Sequence, residues 1–144
     1  MKNFYVKLFP VLFILSLASC NQISQGEQRE KLQYLYGLKL QLTLLMDESF
    51  YLNSDSKLKS YKLDTRTIRN TVENSAPPDG WTEEKNFRDK FLKLIDNNLA
   101  TTDSMLSAKD SINYKSNQTL DDMRLYENNL MEELDALISK VGRG

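Results

Sequence analysis

Nearly everything after residue 26 of this chain reads as amphipathic helix, which predicts an all-α fold: an up-down antiparallel helical bundle of three to four helices. Three observations lead there. Apolar residues recur at spacings of three and four in four separate segments. The 5 Gly and 3 Pro are few for 144 residues, and all but a handful lie outside those segments. The connections between segments are short and polar, as antiparallel neighbours require.

The first element is not part of that body. Lys2 and Lys7 form a positive start, and residues 8–18 follow as a short apolar run. About 20 apolar residues are needed to span a bilayer, so a run this short predicts a cleaved secretory signal over residues 1–19. Leu17-Ala18-Ser19-Cys20 closes it, with two small residues ahead of the only cysteine in the chain. Residues 20–26 are expected to be a polar tether and residues 27–144 the helical bundle domain.

The first helix is expected over residues 27 to about 52, which lack Pro and are rich in Leu, Gln, Lys and Glu. Leu32, Leu35, Leu38, Leu42, Leu45 and Met46 mark its apolar stripe. Leu40, Leu44, Phe50, Tyr51 and Leu52 widen that stripe, so this helix is expected to be the most buried. Gly37 within it marks either a close helix crossing or a tolerated glycine. Asn53-Ser54-Asp55-Ser56 then offers N-cap side chains.

The second helix, residues 57–74, carries Leu58, Tyr61, Thr65, Ile68 and Val72 on one face, with Lys59, Lys62, Arg66 and Arg69 one position further round. Ala76-Pro77-Pro78-Asp79-Gly80 must end it, since proline lacks the amide donor and clashes with the preceding turn. Thr82 is the expected N-cap of the third helix, with Glu83 and Glu84 favouring the positive end of its dipole and Trp81 placed to pack back as a staple, Phe87 being its partner. This helix runs to about residue 113. Asn97, Asn98, Thr101 and Thr102 interrupt its apolar face, which predicts a kink or break over 97–104.

The last helix is capped by Asn117 or Thr119, with Asp121 and Asp122 in its first turn. Leu120, Met123, Glu127, Leu130, Leu134, Leu137 and Val141 alternate three and four. Only Glu127 breaks this seam, and the adjacent Tyr126 is expected to cover for it. Gly142 is placed as a C-cap. Three long helices with a loosely docked basic one is the architectural alternative.

Composition excludes much chemistry. The absence of histidine removes His-based triads, His-containing zinc sites and the one side chain that titrates unperturbed near neutrality. No phosphate-cradling glycine loop occurs. No cofactor is expected and no enzymatic activity. Glu83-Glu84 and Glu132-Glu133 are adjacent pairs that diverge around a helix, and both read as solvated or capping charges. The chain has 19 basic and 20 acidic residues; loss of Lys2 and Lys7 with the signal leaves 17 against 20, or net −3, with no pull toward nucleic acid.

Two charge patterns remain. Residues 57–69 are basic and residues 119–137 acidic. These faces either lie in solvent or meet across the bundle, or the basic ridge of Lys59, Lys62, Arg66 and Arg69, with Tyr61 beside it, binds an anionic partner. That ridge is the candidate binding site. Tyr34, Tyr36, Phe50 and Tyr51 add aromatic area around the first hairpin.

Residues Leu17 to Cys20, the Asn21-Gln22 start and the helical pattern from residue 27 together resemble the small plasmid-encoded outer-surface lipoproteins of Borrelia-type spirochaetes, the orf-D group in particular. The resemblance implies a diacylglyceryl group on the Cys20 thiol, cleavage of the signal in front of it and acylation of the new amine, with anchorage of the chain in a membrane, display on the outer membrane surface, and binding to a host protein or anionic glycan. Two or three acyl chains make a durable anchor where one is marginal. An accessory envelope role, pairing with a membrane partner or with itself, is the second expectation.

Overall fold

The computed structural model describes residues 25–107 and 117–143. They form four helices: α1 (Gln25–Ser49), α2 (Asp55–Asn74), α3 (Thr82–Ser107) and α4 (Asn117–Arg143). No strand occurs among the described residues, and the all-α bundle stands. The signal over residues 1–19, Cys20 and most of the tether lie outside the described residues. α1 begins two residues earlier than the tether boundary at residue 26 allows.

Each helix lies beside its chain neighbours, and α1 also lies beside α4, so the four close into a ring. Of the two diagonals, the backbones of α1 and α3 approach each other and those of α2 and α4 do not. The core fills the ring. Leu35, Leu38, Leu42 and Leu45 of α1 meet Leu58, Tyr61 and Val72 of α2, Phe87, Phe91 and Ile95 of α3, and Leu130 and Leu134 of α4. Every described core residue lies between Leu35 and Val141, so the chain from Asn21 on carries this core whole. Burying each of these side chains is worth about 1.5–3 kcal/mol against leaving it in water.

The helix ends follow local chemistry. Ser54, extended at φ −158° and ψ 159°, accepts the Lys57 amide and starts α2. At its other end the Ser75 amide and the Arg88 guanidinium of α3 both donate to the Val72 carbonyl, at 3.2 and 3.1 Å. A turn follows in which the Trp81 amide reaches the Pro78 carbonyl at 3.3 Å, and Gly80 takes φ +92°, a conformation open to glycine and costly for other residues.

Several expectations need correction. α1 is not buried all round: Tyr36, Leu40, Leu44, Phe50 and Tyr51 are exposed, and of the residues that widened its stripe only Leu52 is enclosed. The apolar count alone did not show that three neighbours cover a single side of the cylinder. Gly37 is exposed with open space around it, so it marks no crossing within this bundle. α2 is firmly docked, with Leu58, Tyr61, Thr65 and Val72 fully buried. α3 runs unbroken through 97–104, because Asn98 and Thr102 find partners inside the core instead of opening the helix. Its expected continuation to about residue 113 lies outside the described residues. Gly142 is helical and Asp121 and Asp122 fall beyond the first turn of α4.

Candidate functional site

The basic ridge is largely used up by the bundle itself. Tyr61 is fully buried, its ring part of the core, and cannot touch a partner. Lys62 pairs with Asp103 of α3. Arg69 donates to Asp96 of α3 and to Glu73 of its own helix, both at 2.7 Å, and the hydrogen bond and charge of Asp96 hold its pKa above the ordinary arginine value. Lys59 and Arg66 are exposed and reach no carboxylate among the described residues. The acidic counterpart is dispersed as well. Asp135 pairs with Lys39 of α1, and Glu133 with Lys90 of α3. The basic and acidic helices therefore do not meet across the bundle. They sit on the diagonal whose backbones stay apart, and Lys62, Arg69, Glu133 and Asp135 pair instead with the helices beside them.

A different constellation, unread in the sequence as a site, takes one polar residue from each helix. Glu127 of α4 is 1 % exposed. Its Oε2 accepts from Ser49 Oγ of α1 at 2.7 Å, and its Oε1 accepts from Asn98 Nδ2 of α3 at 2.8 Å. Asn98 Nδ2 also donates to the Tyr61 hydroxyl of α2 at 2.9 Å. Thr65 lies near that phenol without reaching hydrogen-bond geometry. Tyr126 does not cover for Glu127, as its own side chain is exposed; the carboxylate takes its seam position itself.

Burial pushes the Glu127 carboxyl up to about 7, against the opposing pull of hydrogen bonds from Ser49, Asn98 and Tyr61 and the charge of Arg124. Burial, and then the Glu127 charge, raises the Tyr61 phenol beyond its usual range. A cleft of about 360 Å³ opens beside this cluster, lined by Met46, Asp47, Phe50, Tyr51, Arg124 and Asn128. Arg124 closes its rim, lying 5.0 Å from the Phe50 ring centre and donating to the Phe50 carbonyl at 3.1 Å. Two carboxylates thus border one cleft. Both Glu127 oxygens are engaged by Ser49 and Asn98.

Toward the other end of the bundle, Trp81 packs edge-on to Tyr34 of α1 at 6.2 Å, not onto Phe87 as a staple would. Lys31 lies 5.3 Å over the same ring and 3.7 Å from Glu84. Glu84 lies in the first turn of α3 as expected but is buried, so it is not a solvated charge, whereas Glu83, Glu132 and Glu133 are exposed as expected. No cluster of His, Cys, Asp and Glu suited to a metal ion occurs among the described residues, and none of the described helices is long and apolar enough to cross a membrane.

No protein-family model matches the chain, and no curated protein or solved structure matches it either.

Proposed function

We propose that this chain is a lipid-anchored lipoprotein of the bacterial envelope, similar to the outer-surface lipoproteins of Borrelia-type spirochaetes, whose helical body engages a host or envelope macromolecule without catalysing a reaction. The observation that carries this reading is the Leu17-Ala18-Ser19-Cys20 run behind a short apolar segment. The body adds support: a closed apolar core, buried acids whose oxygens are engaged within the bundle, and no histidine. α1 begins five residues after Cys20, so acyl chains there would hold the bundle close to the bilayer surface.

On this reading the contact face of α2 reduces to Lys59 and Arg66, the two ridge cations not engaged by α3. Two measurements test it. Mass spectrometry of the native protein should find an N-terminal diacylglyceryl cysteine at Cys20; an intact Met1 or a free thiol there would end the lipoprotein reading. Binding of the chain from Asn21 onward to immobilised heparin should weaken with salt and fall at least fivefold in the Lys59→Ala/Arg66→Ala double variant. Retention that ignores both changes would remove the ridge from the proposal.

A further inference from the structure

The outer face of α1 carries an apolar stripe that the bundle does not cover. Tyr36, Leu40 and Leu44 follow one another at spacings of four and are 56 %, 58 % and 44 % exposed. Their stripe points away from the core face of Leu35, Leu38, Leu42 and Leu45. Singly exposed leucines are ordinary, but a run of three over two turns is a contiguous patch. Gly37 on its flank has open space where a side chain would stand, so another backbone can approach closely there.

The charges at the two ends of this stripe select the occupant. Arg29 precedes the apolar residues and Asp47 follows them, both exposed and neither paired among the described residues. They are eighteen residues apart, five turns of 3.6 residues, which returns them to the same side of the helix about 27 Å apart. Arg29 stands in line with the apolar residues at one end and Asp47 at the other, with exposed Glu30 and Glu48 to one side, so the stripe turned end for end sets the cation of one copy against the Asp47 carboxylate of the next. A two-fold axis beside residues 38–40 sets each Arg29 against Asp47 of the other copy and packs Tyr36 and Leu40 across the seam.

We infer that the outer face of α1 is the contact surface of a homodimer in which two α1 helices lie antiparallel. The inference does not rest on acylation of Cys20 or on the ridge of α2, since the stripe lies on a different helix and needs neither. One helix face buries less than the about 800 Å² per partner of stable dimers, so the pair is weak in dilute solution. Confinement of both copies to one surface would raise their effective concentration and favour it.

Sedimentation of the chain from Asn21 onward should show monomer–dimer exchange across about 10 µM to 1 mM, the range such a small interface implies. Leu40→Glu should abolish the dimer with unchanged helical circular dichroism. Arg29→Asp and Asp47→Arg should each weaken it at least threefold, and the two together should restore it, since the reversed pairs face each other again. A Tyr36→Cys/Leu40→Cys variant should form intermolecular disulfides on mild oxidation, because in this register position 36 of one copy faces position 40 of the other. Monomer at every concentration overturns the inference, as does association that Leu40→Glu leaves intact. Failure of the double reversal overturns the antiparallel arrangement. Leu40-dependent sedimentation with phosphatidylglycerol vesicles, without self-association, reassigns the stripe to a bilayer surface and equally overturns the dimer.

Discussion

Glu127 and Glu84 are both buried carboxylates, and the bundle accommodates them in different ways. Glu127 is met by neutral hydrogen-bond donors from α1 and α3, with Arg124 acting on it only as a nearby charge. Glu84 is met by a cation, the Lys31 ammonium, which also bridges to Glu27 one turn earlier and lies over Trp81. Donors that bridge three helices specify where each must sit but leave a carboxylate that favours its proton. A counter-charge does not require such registration, and its partner can be replaced by the next acid along. The first arrangement is specific and pH-dependent; the second is redundant, and its burial shields it from salt.

That contrast breaks most sharply at Asn98. Asn98→Ala removes the donor shared by Glu127 and Tyr61 and leaves both oxygens enclosed, which should cost about 3–4 kcal/mol in urea unfolding. Asn98→Asp should be at least as damaging, because it sets a second carboxylate against the first.

The next effect in size is that of pH. The Glu127 pKa is about 7 in the folded chain against an ordinary 4.5, so between those values the folded state binds a proton that the unfolded state has released. Its contribution is complete below pH 4.5 and is lost as the pH rises through 7. Unfolding free energy should therefore be greater at pH 5 than at pH 8 by up to about 3 kcal/mol from this group. The charge acting on it is that of Arg124 on its own helix, with Tyr61 the titratable side chain on α2. Glu127→Gln, which keeps the shape of the protonated form, should flatten the dependence and raise stability at pH 8. An equally steep profile in that variant would show that Glu127 is not the titrating group.

At the Lys31 site, Lys31→Met should cost about 2 kcal/mol by leaving Glu84 without its cation, and Lys31→Met with Glu84→Gln should recover most of it. The smallest effect belongs to the rim pair of Lys140 and Glu83, 2.6 Å apart with both side chains more than half exposed. Lys140→Ala should change stability by less than about 0.5 kcal/mol, and 0.5 M salt should erase the difference.

Much of the fold was legible in the sequence because spacings of three and four need no knowledge of a partner. The seam from Leu120 to Val141 could be drawn on the sequence, and so could the face from Leu58 to Val72. Azimuth on one helix does not reveal what stands opposite, and the errors follow from that. Tyr36, Leu40 and Leu44 count as apolar wherever they point; Lys62 and Arg69 look available until Asp103 and Asp96 are brought alongside. The Glu127 cluster was hidden because Ser49 and Glu127 are 78 positions apart and share no motif. The available signal lay in the interruptions: Glu127 within an otherwise apolar seam, and Asn98 with Thr102 one turn apart on another. Two apolar faces broken by amide, hydroxyl and carboxylate groups are more economically explained by one shared polar core than by a kink and a substitute tyrosine.

The carboxylate that binds α1 and α3 to each other belongs to α4, the 27-residue helix that follows both of them in the chain. Until that helix docks, Ser49 and Asn98 lack their common acceptor, and the register of the other three rests on their apolar faces, the Asn98–Tyr61 hydrogen bond and the ion pairs of Lys62 and Arg69. The latch between α1 and α3 thus closes only when all four helices are in place.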